Sequence, residues 1–375
     1  MGPLTGLRVI EIEGLGPAPF CGMMLADMGA EVISITRKSS SKARPAEVSE
    51  RGKKSIAVNL KSAEGVEIVL KLCATADALI EGFRPGVAER LGIGPEDCMA
   101  RNPKLVYGRM TGWGQTGPLS QAAGHDINYI SLSGALHSIG RAGEKPVPPL
   151  NLVGDFGGGG MFLAFGLMCA IFESSRSGQG QVVDVSMVEG SAALMHMMYA
   201  WMASDRWRDE RGVNLLDGAS YFYDSYQTAD GKYVSIGSLE PQFFQILLEK
   251  AELDASEFCS QSDESKWPEL KAKLTAVMKN KTRDEWCAIM EGSDVCFAPI
   301  LSMSEAPEHP HNKFRQSYLH TDGILQAAPT PKFSRTAPSV PASPPASGSN
   351  TSAVLSGLGY SSEQIAQLAE QGVLP

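Results

Sequence analysis

Short apolar runs rich in Val and Ile recur through the first half of the chain. They alternate with longer stretches in which apolar positions return every three or four residues. The short runs predict buried strands over residues 7–12, 31–35, 55–60, 77–81 and 104–110. Between them, 20–29 reads as a helix stopped by Gly29, and 63–76 as a helix whose apolar positions 66, 69, 70 and 73 share one face. Strand and helix alternating in this way predict a parallel sheet covered by helices. A long helix over 161–177 and a strand over 181–186 close the region. The next helix, over 187–203, carries Met195, Met197, Met198 and Met202, whose flexible thioethers suit core filling.

From 205 to 217 the chain is polar and irregular, as a linker would be. Residues 221–227 and 233–237 read as a hairpin around Asp230-Gly231, followed by helices over 241–252, 268–280 and 283–291. The Pro- and Ser-rich segment 334–352 is expected to run extended on the surface. A last helix over 361–371 opens with a capping box of Ser361 and Gln364. The expected division is a large domain over 1–186, a linker helix and loop over 187–219, a small domain over 220–300 and a return to the large domain over 301–375.

Charge narrows the partners. Among 375 residues, 42 are acidic and 33 basic, a net charge of −9 that disfavours nucleic acid or an anionic membrane as the main partner. Seven scattered cysteines, never spaced C-x-x-C, read as reduced thiols of an intracellular protein. His309 and His311 flank Pro310 without a third ligand nearby, so no metal is expected. Residues 162–172 are apolar but short for a membrane span, with Glu173 and Arg176 close behind. No secretory leader or peroxisomal tail is visible, and a cytoplasmic protein is expected.

The candidate chemistry lies between residues 124 and 160. His125 and Asp155 sit there in apolar surroundings, where titratable groups shift far enough to trade protons near neutral pH. Asp155 reads either as part of such a site or as a helix N-cap, and His125 either so or as a hydrogen-bonded core histidine. Glu240 could equally start a helix ahead of Pro241. The glycines at 157–160 lack the Lys-Ser/Thr of a phosphate loop and read as a helix start. Gly14-Leu15-Gly16 lacks the third glycine of a dinucleotide fingerprint, and Pro17 and Pro19 intrude. Arg37 and Lys38 after the second strand, Arg51, Lys53 and Lys54 before the third, and Arg84 suit a phosphate-bearing ligand, or else a solvated basic face.

Several longer motifs occur together. They include Leu4-Thr5-Gly6-Leu7-Arg8-Val9-Ile10-Glu11, Gly82-Phe83-Arg84-Pro85-Gly86, Gly124-His125-Asp126-Ile127-Asn128-Tyr129, Gly154-Asp155-Phe156 and Glu240-Pro241-Gln242-Phe243. In them the chain closely resembles the class III CoA-transferase family, and within it the racemase branch. The resemblance runs to about residue 325 and leaves out the tail after Ser334. It implies an α/β fold, with a Rossmann-like large domain and a smaller α+β domain. It also implies an interlocked homodimer with the active site between subunits. The implied activity interconverts (2R)- and (2S)-2-methylacyl-CoA thioesters through an enolate, with no metal or redox cofactor, CoA being part of the substrate. His125, Asp155 and Glu240 match the proton-transfer residues, Glu240 orienting the imidazole. Arg37, Ala57, Asn59, Leu60, Lys61 and Arg84 match positions that contact CoA, with Tyr129 and Asn151 beside the substrate. Backbone N–H groups at the start of the glycine-rich helix would face the enolate oxygen. The alternative is a transferase of the same family in which Asp155 attacks the thioester.

Overall fold

A computed structural model describes residues 2–37, 47–258 and 260–374, so Lys38 and Cys259 lie outside the described residues. The chain divides into two compact units. The first comprises Met1–Ser133, Leu150–Leu194 and Gln316–Pro375, and the second Gly134–Pro149 and Met195–Arg315.

In the first unit, six strands form one sheet: β1 (Arg8–Ile12), β2 (Glu31–Thr36), β3 (Lys54–Ala57), β4 (Ala78–Glu81), β5 (Val106–Thr111) and β6 (Val182–Ser186). Their order is β3-β2-β1-β4-β5-β6, and every pairing is parallel. Register places Ile10 between Ile33 and Leu79. Parallel strands are joined by crossovers that cover both faces of the sheet, which is why β1, β2 and β4 are apolar on both pleats. The order reverses between β1 and β4, and ligands of such sheets bind in the crevice beyond the carboxyl ends of the strands there.

The helix expected from residue 161 starts earlier. Leu152–Met161 is wound as a π-helix that runs on into the α-helix Phe162–Ser177. The glycine run lies inside this helix, not at its start. A Cβ on Gly158 would come within 2.6 Å of the Ser191 nitrogen, and one on Gly190 within 1.9 Å of the Gly158 oxygen. Glycine there lets the π-helix and the helix Met187–Leu194 touch backbone to backbone. By length and composition Leu152–Ser177 could cross a membrane. Here Leu163, Ala164, Leu167 and Ala170 are buried on the sheet side, whereas Met161, Phe165 and Phe172 are 46%, 71% and 64% exposed.

Buried charges occupy the same unit, and they correct one expectation. The Lys53 ammonium bonds both Glu11 oxygens at 2.7 and 2.9 Å, with neither side chain exposed. Arg51 pairs with Asp27 and also donates to Gln326 and the Ala327 carbonyl. Lys54 pairs with Glu31. Arg51 and Lys53 are therefore buried in structural pairs and not free for a phosphate, whereas Lys54 is exposed. Burial raises the Glu11 carboxyl to about 7 despite the opposing Lys53 charge.

The Pro- and Ser-rich tail is stitched to the β3 edge. The Asn350 backbone N–H donates to the Ser55 carbonyl, and the Ser55 N–H donates to Asn350 Oδ1, both at 2.9 Å. Asn350 is thus held by the sheet. The last helix, Ser362–Glu370, keeps its capping box from Ser361 and Gln364.

The second unit is built on an antiparallel sheet of β7 (Tyr223–Gln227), β8 (Tyr233–Gly237) and β9 (Phe297–Ile300). Helices Pro241–Lys250, Trp267–Met278 and Arg283–Met290 surround an aromatic core in which Tyr221 lies edge-on to Phe222, Phe244 and Phe258. The Met-rich helix is interrupted at Met195, and its second part, His196–Met202, buries none of its residues. Met195, Met198 and Met202 line an open groove in this unit with Tyr199 and Trp207, so they do not fill a core.

Candidate active site

The carboxyl ends of the strands in the first unit gather the sequence candidates. Arg37 directly follows β2, exposed, and its backbone N–H donates to Glu13 Oε2 at 3.0 Å. Ala57 ends β3 and is buried, its N–H donating to Thr351 Oγ1 at 3.1 Å. Asn59 and Lys61 are exposed in the turn that follows, with Leu60 half-buried between them. The Lys61 N–H closes that turn on Asn59 Oδ1. Arg84 is exposed beyond β4. Its loop is braced by buried Glu81, whose Oε2 accepts from the Phe83 N–H at 2.6 Å while Oε1 accepts from Arg109. Burial raises the Glu81 carboxyl to about 7, and these bonds oppose the rise.

His125 and Asp155 meet beyond β5. The helix Asp126–Leu132 starts on His125, which is exposed at its N-cap with its backbone N–H bonded to Asn128 Oδ1 at 3.0 Å. Tyr129 fixes the preceding loop. Its ring lies edge-on to Trp113 with centroids 4.8 Å apart, and its hydroxyl donates to the Gly124 carbonyl. Side chains at Gly112 or Gly124 would collide with that ring.

Asp155 stands in the first turn of the π-helix, four residues beyond the N-cap position held by Asn151, so it is not the cap. The Asn151 amide donates to Asp155 Oδ2 at 3.2 Å. The Asp155 backbone N–H is bonded to Asp126 Oδ2 at 2.7 Å, which joins the two segments next to His125. Burial is the main cause that raises the Asp155 carboxyl above the ordinary carboxylate range. The Asn151 bond opposes it, Asp126 adds to it and His125 opposes it. Asp155 therefore keeps its proton to higher pH than a free aspartate.

Two site features escaped the sequence reading. Gly16 has a left-handed φ of 70°, and a Cβ there would lie 3.4 Å from Asp155 Oδ2. The first strand-to-helix turn thus faces a carboxyl group. With Pro17 and Pro19 lacking N–H groups, the helix behind it has little to offer a pyrophosphate. Asp126 is the second, a buried carboxylate whose position beside His125 reads in sequence as an ordinary first-turn acid.

Within the run 157–160, Gly157 is half-buried and the other three glycines are packed against protein. Gly158, Gly159 and Gly160 are buried, with Ser191, Pro17 and Phe20 against them. Glu240 lies in the second unit at the N-cap of Pro241–Lys250. Among the described residues, no group of three or more His, Cys, Asp or Glu is placed to hold a metal ion.

Comparison with known proteins adds the lineage of this arrangement. The model of CoA-transferase family III matches residues 4–351. The chain is 47% identical to an alpha-methylacyl-CoA racemase of Mus musculus, covering 97% of this chain and 96% of that protein. It is 41% identical to the Homo sapiens protein of the same name, covering 99% and 97%. A CaiB/BaiF family protein from Brucella suis shares the fold, with a TM-score of 0.79 at 23% identity over 95% of this chain and 99% of that one.

Proposed function

The chain belongs to CoA-transferase family III, and from that membership we propose that it interconverts (2R)- and (2S)-2-methylacyl-CoA thioesters. The carrying observation is Asp155, half-buried and proton-retaining, tied through Asp126 to the segment that presents His125. The names borne by the Mus musculus and Homo sapiens relatives agree with this reading.

Inverting one carbon requires a group that removes the α-proton from one face and a group that returns a proton to the other. A neutral His125 imidazole takes the proton while protonated Asp155 supplies one. The reverse reaction starts from imidazolium and carboxylate. Burial favours the protonated form of Asp155 that the first direction needs. Glu240 orients the imidazole and steadies its cation. The groups at the ends of β2, β3 and β4 hold the CoA portion, with exposed Arg37, Lys61 and Arg84 as its cations and buried Ala57, exposed Asn59 and half-buried Leu60 as the wall between them. Tyr129 and Asn151 border the thioester. The reaction as proposed uses no metal or redox cofactor.

We place two chains in a homodimer with the active site between subunits. The apolar face of Met161, Phe165 and Phe172 supports this, since so much exposed apolar surface on one helix marks an interface.

One experiment separates the racemase from the transferase alternative. A single (2S)-methylacyl-CoA is incubated in D2O with no acceptor acid, and α-deuterium is followed by mass spectrometry. Exchange with inversion is expected in the parent, and formation of the (2R) isomer is expected to be lost in Asp155→Ala and in His125→Ala. Acyl transfer to an added carboxylate, without exchange and surviving His125→Ala, would establish the transferase instead.

A further inference from the structure

Asp126 carries an unusual pair of oxygens. Oδ2 accepts from the Asp155 backbone N–H at 2.7 Å. Oδ1 is buried, and among the described residues it has no hydrogen-bond partner. The whole residue is only 6% exposed. A carboxylate so enclosed usually pairs both oxygens, because a buried unpaired acceptor destabilises the fold. Gly154 leaves the room for it: a Cβ there would lie 2.5 Å from Oδ2. The surroundings of Asp126 thus place a second carboxyl group beside Asp155 with one oxygen left unpaired.

Resting on the racemase reading, we propose that Asp126 is a positioning residue that acts on the reaction through Asp155. One of its oxygens fixes the Asp155 backbone, and the other stands unpaired as a second negative charge behind it. Two nearby carboxylates do not ionise independently, and the charge of one holds the proton on the other. Asp126 contributes in that direction to the raised proton affinity of Asp155, alongside burial. The other groups facing Asp155 are the Asn151 amide and the His125 ring, both of which oppose the rise. Tyr129 lies close enough to feel the Asp155 charge, as it feels that of Arg84. Asp126 itself need not touch substrate.

The test keeps the N–H acceptor and removes the charge. Asp126→Asn retains a carbonyl oxygen for the Asp155 N–H, and Asp126→Ser, with a smaller neutral acceptor, serves if the first variant does not fold. Two readouts are followed in the full-length protein. One is the titration of the Asp155 carboxyl by carbon NMR of labelled aspartate, assigned through Asp155→Asn. The other is the pH profile of α-proton exchange. In the folded variant the Asp155 midpoint should fall by roughly half a pH unit or more, and the exchange profile should move to lower pH with it. A merely structural role would lower the rate and leave both midpoints in place, and that result would overturn the proposal. A parent that shows no α-proton exchange while its Asp155 midpoint still falls on substitution would overturn the racemase reading and leave the role of Asp126 standing.

Discussion

Replacing Lys53 by methionine separates two roles that its position in the sequence leaves mixed. A lysine beside the strand ends could hold a phosphate of CoA. The structure instead seals its ammonium against both Glu11 oxygens at 2.7 and 2.9 Å, the Pro19 carbonyl at 3.1 Å and Glu50 at 3.1 Å. Removing the cation strands a buried carboxylate, which costs about 3–5 kcal/mol, whereas replacing a whole buried pair by apolar residues of similar volume is often neutral. Lys53→Met alone should therefore be severely destabilised. Glu11→Met with Lys53→Met should recover most of the loss and bind CoA as the parent does.

The pH dependence carries a sign. The folded-state pKa of Glu11 is raised from 4.5 to about 7. The folded chain thus holds that proton more tightly than the unfolded chain. The associated stability is fully present below about pH 4.5 and is lost as pH rises through about 7. Without Lys53 nothing opposes burial, so the deficit of the single variant should be larger near pH 8 than near pH 5. Urea unfolding at both pH values, with a CoA titration on each variant, gives all the terms. A single variant within about 1 kcal/mol of the parent at pH 8 would refute the reasoning, since a stranded buried charge costs more than that. So would a double variant that keeps parental stability but loses CoA affinity.

Three further outcomes follow from named contacts. Gly16→Ala forces a side chain onto a positive-φ backbone (φ 70°, ψ −116°) at a cost of about 1–3 kcal/mol and sets a methyl against Asp155. Denaturation should show the cost, and deuterium exchange should show kcat falling more than KM rises. Arg84→Ala removes a proposed charge-assisted contact to CoA, so KM should rise roughly 10–100-fold with kcat nearly kept, and an unchanged KM would remove Arg84 from the site. Asn350→Ala leaves the Ser55 N–H without its acceptor and should cost about 1–3 kcal/mol in urea unfolding, with turnover of the folded protein unaltered.

The parallel sheet was legible because strands buried on both faces leave continuous Val and Ile runs, as in β1 and β2. The placing of Arg37, Arg84 and 57–61 at strand ends follows from the same pattern. What stayed hidden depended on partners. The signs of Arg51 and Lys53 show in the sequence, but Asp27 and Glu11, which neutralise them, lie 24 and 42 positions away. The glycines at 157–160 announce a close approach without saying to what, and the answer is the helix Met187–Leu194 and the residues around Pro17. Methionine spacing likewise shows which positions share a face, not whether anything covers it, and His196–Met202 is left uncovered in its own unit. Asp126 is the sharpest case. A carboxylate after His125 matches a first-turn acid so well that only its buried oxygens, one bound to the Asp155 backbone and one unpaired, set it apart. Local pattern reveals an element when burial is repeated along it. A site made from single contacts between distant segments leaves no such repetition.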